Sequence, residues 1–113
     1  MFEGKTIIVT GSTQGIGLAL ARKLGGLGAN LVINSRTEEK VQKVVREFEE
    51  NNLPVAGFTG DVSDYECCVQ LCQTAVDKFG GIDLLINNAA VTARGTLEES
   101  NPDIFDKLMT VNV

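Results

Sequence analysis

A glycine-rich segment is the first feature of this sequence whose residue types and spacing suggest chemistry. Residues Thr10–Gly17 read T-G-S-T-Q-G-I-G and follow a short apolar run. Gly11 permits a sharp turn out of a strand, Gly15 lets the backbone approach a pyrophosphate, and Gly17 allows a helix to pack closely on a sheet. Free N–H groups and the dipole at a helix start attract phosphate. The spacing is G-x-x-x-G-x-G rather than G-x-G-x-x-G, and glycines also serve ordinary turns. We predict an anion-binding loop formed by Gly11, Ser12, Thr13, Gln14, Gly15, Ile16 and Gly17.

Polar residues also follow two later apolar runs. Asp61–Val62 comes after the third run of the chain and Asn87–Ala90 after the fourth. Each segment taken alone is equally typical of a turn. In an open parallel sheet, however, ligands bind outside the carboxyl ends of the strands. The two segments together therefore favour a site beside the glycine-rich loop.

The elements that must position these residues alternate between strand and helix patterns. Short apolar runs typical of buried strands alternate with amphipathic stretches, and the connections are short. This order predicts an α/β fold with a doubly wound parallel sheet and right-handed crossovers, formed by one domain over residues 1–113. The predicted strands are Thr6–Thr10, Leu31–Ile33, Val55–Thr59 and Asp83–Asn87. The predicted helices are Ile16–Leu27, one capped by Thr37 and ending at Asn51, one capped by Ser63 and ending at Gly80, and one from Ser100 to the last residue, Val113.

Composition and charge exclude several classes of function. The 113 residues include 15 acidic and 10 basic side chains, a formal charge of −5, and no His. An acidic chain is not suited to a general nucleic-acid or anionic-membrane surface. Without His, a Ser-His-Asp triad and a His-ligated metal site are excluded. We find neither a signal peptide nor an apolar run long enough to span a membrane, and we expect a cytoplasmic protein.

Three cysteines lie close together in the third helix pattern. The spacing of Cys67, Cys68 and Cys72 lacks the paired C-x-x-C pattern of zinc or redox sites. Cys68 and Cys72 instead belong to an apolar stripe with helical period. We predict packing rather than chemistry for a stripe that comprises Cys68, Leu71, Cys72, Ala75, Val76 and Phe79.

Two motifs together resemble the short-chain dehydrogenase/reductase family. The family's T-G-x-x-x-G-[IL]-G motif is complete at Thr10–Gly17. Its N-N-A-G motif is present as Asn87, Asn88, Ala89 and Ala90, with alanine at the last position. The resemblance covers the whole chain and implies a Rossmann-type sheet with strand order 3-2-1-4. It also implies binding of NAD(P)(H) and hydride transfer between the nicotinamide and a small-molecule carbonyl or alcohol.

The resemblance also assigns residues to parts of the cofactor. It places Ile16 at the pyrophosphate, Asp61 and Val62 beside the adenine, and Asn88 near the ribose. Methyltransferases and other Rossmann-like proteins use a different glycine spacing and generally an earlier acidic residue, which is missing here.

The residues after the second strand bear on the choice of cofactor. An acid there holds the ribose 2′-OH of NAD, whereas a cation accommodates the 2′-phosphate of NADP. Ser35 stands where NAD-type members of the family have Asp, and Arg36 offers a planar bidentate donor to phosphate. The alternative is that Arg36 is simply a solvated loop cation. The phosphate loop has Gln14 where many NADP-type relatives carry a basic residue. We predict NADP(H) over NAD(H).

Asn112 is the one candidate for a catalytic role. It continues the apolar face of the predicted last helix, where an unpaired amide is unfavourable. It could instead bond a neighbouring backbone group or lie exposed near the chain end. In the family, the Asn of this helix joins Ser, Tyr and Lys and holds a water in the proton relay, and the V-N-V sequence at 111–113 matches.

The other catalytic groups of the family are not found in these 113 residues. The single tyrosine is Tyr65, and Val69 follows it where Tyr-x-x-x-Lys requires lysine. The pattern therefore predicts the cofactor-binding half of an oxidoreductase, truncated after the fourth strand and the following helix, and inactive alone. It also predicts an open edge on the fourth strand, and a homo-oligomer at full length. The alternative is a non-catalytic nucleotide-binding or interaction module, either a truncated isoform or a pseudo-enzyme.

Overall fold

Strands and helices alternate along the chain as the sequence predicts. The computed structural model describes residues 2–88 and the backbone of residues 109–112. In chain order the elements are β1 (Thr6–Val9), α1 (Gly15–Gly26), β2 (Asn30–Ser35), α2 (Glu38–Glu50), β3 (Val55–Thr59), α3 (Tyr65–Phe79), β4 (Leu84–Asn87) and β5 (Met109–Asn112).

The strands form one parallel sheet with the order β3-β2-β1-β4-β5. The central strand β1 pairs with β2 on one side and with β4 on the other, with Ile8 in register with Val32 and with Leu85. The chain reverses its direction of growth across the sheet after β3. The predicted Rossmann-type order 3-2-1-4 is therefore confirmed, and its switch point lies between β1 and β4.

Two apolar layers cover the two faces of the sheet, because neighbouring strand residues point to opposite sides. Ile7 and Val9 of β1 face α1 and α2, and the cluster on that side includes Phe48 of α2. Ile8 between them faces α3, where it packs in a cluster with Leu71. Strands β1, β2 and β4 are thus buried from both sides, and this is why they are continuous apolar runs rather than alternating ones.

The predicted helix over residues 100–113 is wrong at its last turn. Met109–Asn112 forms the strand β5, which pairs in parallel with β4 and has Asn112 in register with Asn87. The predicted open edge of β4 is wrong for the same reason, since β5 pairs along it. An uncovered edge strand presents unpaired N–H and C=O groups, and a segment containing the β-branched Thr110 and Val111 can satisfy them. Residues 100–108 lie outside the described residues.

The start of α3 differs in detail from the prediction. The N-cap is Asp64 rather than Ser63, and its carboxylate accepts hydrogen bonds from the N–H groups of Glu66, at 2.9 Å, and Cys67, at 3.4 Å. Both residue types are good caps, and the local sequence does not decide between adjacent candidates. Thr37 does occupy the N-cap position of α2, but its side chain makes no capping hydrogen bond.

Four of the six residues of the predicted stripe on α3 are buried: Cys68, Leu71, Cys72 and Ala75. Phe79 is half-buried and packs against the same cluster, whereas Val76 is 43% exposed because it lies at the margin of the stripe. Burial raises the pKa of the Cys68 and Cys72 thiols to about 11. Within the described residues there is no cluster of His, Cys, Asp or Glu that could hold a metal ion.

None of the described helices combines the length and the apolar character that a membrane-spanning segment requires.

Candidate functional site

The glycine-rich loop joins the end of β1 to the start of α1. Gly11 and Gly15 have φ values of 59° and 60°, in the left-handed region where a side chain is strained. Around Gly15 the space that a Cβ would occupy is open, with no atom within 4 Å. Helix α1 begins at Gly15 with no acidic residue in its first turn, so the positive end of its dipole is not neutralised locally. The next residue, Ile16, is 62% exposed at this opening. The loop therefore offers bare backbone and positive potential to an anion.

Gly17 lies beneath this loop and is required by a close contact. A Cβ at Gly17 would overlap the carbonyl oxygen of Gly11 and would lie 2.6 Å from Nδ2 of Asn88. The Asn88 amide donates to that same carbonyl over 3.1 Å, and the Asn88 N–H donates to Oγ1 of Thr10 over 2.9 Å. The start of α1, the loop and the end of β4 are thus held together at one point.

Asn34 is a buried residue of this site that the sequence reasoning missed. It is 2% exposed, and its Oδ1 accepts from the N–H of Gly11 over 3.2 Å. Its Nδ2 donates to the carbonyls of Phe58, at 3.1 Å, and Gly60, at 3.2 Å. One buried amide therefore joins the phosphate loop, β2 and the end of β3. The available signal is an asparagine that ends an apolar strand, a position where a buried amide is unfavourable without partners.

Ser12 belongs to the same buried network. Its side chain is fully buried, and its hydroxyl accepts from the N–H of Asn34 over 2.8 Å. The Ser12 N–H in turn donates to the Asn34 carbonyl over 2.8 Å. Of the predicted loop residues, Ser12 and Gly17 therefore hold the loop against the rest of the protein. Neither of them lines the opening next to the loop.

That opening is a cleft of about 640 Å³ outside the carboxyl ends of β1, β2 and β3. It brings together sequence-predicted residues from the loop, the end of β2 and the end of β3. It also includes residues that were not predicted, Asn34, Thr37, Lys40, Gly60 and Ser63 among them. The predicted residues that line it are Gly11, Thr13, Gln14, Gly15, Ile16, Ser35, Arg36, Asp61, Val62 and Asn88.

Besides Ser12 and Gly17, three predicted residues are not placed in the cleft. Ala89 and Ala90 lie outside the described residues. Asn112 is in β5 rather than in a helix, and its backbone pairs with that of Asn87. Its role in a proton relay stays a prediction.

The charged groups lining the cleft favour an anion, although the chain as a whole carries −5. Arg36 and Lys40 are cations, and Asp61 is the acid. Hydrogen bonds from the Ser63 hydroxyl, at 2.7 Å, and the Ser63 N–H, at 2.9 Å, lower the pKa of Asp61, and the charge of Arg36 lowers it further. The local balance is one positive charge.

A buried polar atom lies at the β4 end of this edge. Asn87 is 5% exposed, and its Oδ1 accepts from the Thr10 hydroxyl over 3.3 Å. In the part of the chain that the structure describes, its Nδ2 has no hydrogen-bond partner. Together with the open space at Gly15, this donor fits a ligand that is anionic at the loop and polar toward β4, as a dinucleotide is.

Comparison with known proteins agrees with this geometry. A family model described as short chain dehydrogenase matches residues 5–113. The chain is 40% identical over 113 residues to tropinone reductase-like 3 from Erythroxylum coca, covering 99% of this chain and 44% of that protein. It spans less than half the length of the curated relatives that it matches.

Two solved structures are similar over much of the chain. A short-chain dehydrogenase/reductase from Burkholderia phymatum in complex with NAD has a TM-score of 0.86 and 25% identity, with coverage of 98% of this chain and 49% of that one. L-sorbose reductase from Gluconobacter frateurii, complexed with NADPH and L-sorbose, has a TM-score of 0.75 and 32% identity, with coverage of 80% and 35%.

Proposed function

This chain belongs to the short-chain dehydrogenase/reductase family, and from that premise we propose that it is the cofactor-binding half of an NADP(H)-dependent oxidoreductase. The reaction is hydride transfer between the nicotinamide and a carbonyl or hydroxyl group of a small molecule. The bound nicotinamide supplies or accepts the hydride, and the residues described above bind and orient the dinucleotide.

The observation that carries the proposal is the composition of the segment from the end of β2 into α2, Ser35–Lys40, which we call the corner after β2. Ser35 and Arg36 line the same cleft as the phosphate loop. A dinucleotide whose diphosphate lies at Gly15 and Ile16 would therefore extend its adenosine ribose toward a guanidinium and a hydroxyl, with no carboxylate at position 35. This arrangement suits a 2′-phosphate, because an acid at that position would repel it.

The chain's own residues support NADP(H) more directly than its relatives do. Both cofactors occur among the similar solved structures, which were obtained with NADPH and with NAD. Arg36 is exposed and lines the cleft together with Asp61, whose carboxylate is already hydrogen-bonded by Ser63. The guanidinium is therefore available to a phosphate in the cleft.

Calorimetric titration of the chain with NADPH and NADH tests the proposal. We expect NADPH to bind more tightly than NADH, by roughly tenfold or more, because one charge-assisted contact is gained. Tighter binding of NADH would contradict the NADP(H) assignment. Binding of neither dinucleotide by folded chain would contradict the function as a whole.

We further propose that the 113 residues bind cofactor without turnover. Tyr65 is at the first position of α3, 40% exposed, and it does not line the cleft. No other tyrosine is present to protonate a carbonyl. NADPH oxidation with carbonyl substrates should stay at the rate without protein, and a rate comparable to that of a full-length relative would contradict this.

Three further features belong to the same proposal. We propose a cytoplasmic location, a small-molecule substrate rather than nucleic acid or membrane, and self-association of a full-length form. Cell fractionation and sedimentation of a longer chain would test the first and the last.

A further inference from the structure

We propose that Lys40 is a second cation of the cofactor site, which binds the same phosphate monoester as Arg36 and so contributes to the choice between NADPH and NADH. This inference rests on the proposed function and adds a residue from α2 that the motifs do not include.

Lys40 of α2 contacts the glycine-rich loop across the cleft residues. Its Nζ lies 3.3 Å from Oε1 of Gln14, in the phosphate loop, although the two residues are 26 positions apart. Both side chains line the cleft together with Ser35 and Arg36. The contact directs the ammonium group away from α2 and toward the loop.

The ammonium retains binding capacity in this position. A lysine has three N–H donors, and one of them is used by Gln14, whose amide is neutral. Among the described residues no carboxylate forms an ion pair with Lys40. The charge of Arg36 contributes to lowering the pKa of Asp61, the acid of the cleft. Lys40 is therefore the less neutralised of the two cations.

The position of Lys40 within α2 is not explained by helix stability. It is the third residue of the helix, after Glu38 and Glu39, in the turn where the dipole favours acids and disfavours cations. A residue that is locally unfavourable is consistent with a role outside the helix. A phosphate in front of this turn would be attracted by both the ammonium group and the helix start.

The charge of the ligand also calls for two cations. A phosphate monoester carries about −1.5 to −2 at neutral pH. Arg36 alone leaves part of that charge without a partner, and Asp61, which also lines the cleft, repels it. A second cation restores the balance, while the 2′-OH of NADH would gain little from it.

The experiment compares Lys40→Met with Lys43→Met in the full 113-residue chain. Lys43 is exposed on the same helix and does not line the cleft, so its variant removes the same charge at a control position. Dissociation constants for NADPH, NADH, 2′,5′-ADP and 5′-AMP are measured by calorimetry at two salt concentrations. Circular dichroism melts verify that each variant folds, and Lys40→Arg tests for retention of the charge.

We expect Lys40→Met to weaken NADPH and 2′,5′-ADP roughly tenfold, and to change NADH and 5′-AMP by less than about twofold. Lys40→Arg should keep most of the preference, and Lys43→Met should keep all of it. An equal loss for both dinucleotides would mean that Lys40 acts only by holding Gln14, and it would overturn the proposal. So would unchanged NADPH binding, or the same loss in Lys43→Met.

The outcomes separate this inference from the function on which it rests. A wild-type chain that binds neither dinucleotide contradicts the proposed function itself. A wild-type chain that prefers NADPH, with Lys40→Met unchanged, contradicts only the role of Lys40.

Discussion

The phosphate loop (Thr10–Gly17) and the corner after β2 (Ser35–Lys40) line one cleft, but their side chains are held in different ways. The loop is supported from below by buried groups, with Asn34 on the Gly11 N–H and Asn88 on the Gly11 carbonyl. In the corner Ser35 is half-buried, residues 36–40 are exposed, and the Lys40 contact with Gln14 is also exposed.

This difference corresponds to what each region would recognise. A diphosphate is common to every nicotinamide dinucleotide, and a preorganised loop binds it without the entropic cost of ordering side chains. The 2′-substituent distinguishes the cofactors, and exposed side chains that support no other element can change without unfolding the sheet. Binding and selectivity are therefore expected to respond to different substitutions.

Asn34→Ala should have the largest effect on both stability and binding. It removes the hydrogen bonds of the Asn34 amide to the Gly11 N–H and to the Phe58 and Gly60 carbonyls, all of them part-buried. At about 1 kcal/mol for each hydrogen bond, we expect a loss of about 3 kcal/mol in the free energy of unfolding. Urea denaturation measures the stability, and NADPH titration should show no binding.

The matched control is Asn30→Ala at the other end of β2. The Asn30 amide is half-buried and makes one long contact, 3.4 Å, with Oγ1 of Thr6. Its loss should cost less than about 1 kcal/mol and leave binding unchanged. Similar losses in the two variants would mean that Asn34 does not organise the cleft.

Gly17→Ala should disrupt the supported side of the cleft by overlap. The added methyl group meets the Gly11 carbonyl and the Asn88 amide, and overpacking of this kind typically costs about 1–3 kcal/mol. The binding of NADPH and that of NADH should weaken equally, because the phosphate loop moves. Thermal melts and titration of both dinucleotides measure this.

Gly26→Ala in the same helix is the control for that substitution. Gly26 is exposed, and a Cβ there meets no atom within 4 Å. Alanine should therefore stabilise the chain by up to about 1 kcal/mol. If Gly17→Ala were also stabilising, the close packing at the loop would be refuted.

Ser35→Asp should change selectivity while the fold stays intact. The new carboxylate would repel a 2′-phosphate and accept a hydrogen bond from a 2′-OH. We expect NADPH to weaken roughly tenfold and NADH to strengthen, with an unchanged melting temperature. Gln70→Glu on α3 adds the same charge outside the cleft and should change neither affinity. An unaltered ratio in Ser35→Asp would show that the corner does not select the cofactor.

The two buried thiols of α3, Cys68 and Cys72, should react slowly with alkylating reagents. The Cys68 thiol donates to the Val62 carbonyl over 2.7 Å, and burial raises the pKa of Cys68 and Cys72 to about 11. At pH 8 iodoacetamide should label the half-buried Cys67 about tenfold faster than the other two, as read by peptide mass spectrometry. Equal rates in the native chain would contradict the buried stripe, and equal rates in urea are the control.

The same thiols give the smallest effect, a dependence of stability on pH. Unfolded thiols ionise near pH 9, below the folded value of about 11. The raised pKa therefore contributes stability that is fully present below pH 9 and is lost as the pH rises through 11. Urea midpoints measured from pH 8 to 11 should decline, and Cys68→Ala should reduce the decline.

Local patterns predicted most of the elements but not their long-range contacts. The bounds of β3 agree with the prediction, because Pro54 and the residues after Thr59 mark its ends. Asn34 could not be identified, since its partners Gly11 and Gly60 are 23 and 26 positions away. Lys40 could not be identified for the same reason, since Gln14 is 26 positions away.

The C-terminal segment shows the limit of periodicity. The apolar spacing before Asn112 fits a helix, yet residues 109–112 pair with β4. The spacing of apolar side chains does not indicate that a neighbouring strand has unpaired N–H and C=O groups along its edge. Hydrogen bonding along that edge outweighs the local preference for a helix.

The sequence by itself determines the order of the elements, the glycine spacing of the loop after β1 and the absence of an acid at position 35, because each depends on residue types and short spacings. The tertiary structure decided that Asn34 supports the loop, that Lys40 reaches Gln14 and that residues 109–112 extend the sheet. These outcomes depend on which groups that are distant along the chain the fold brings within hydrogen-bonding distance, and local spacing does not specify that.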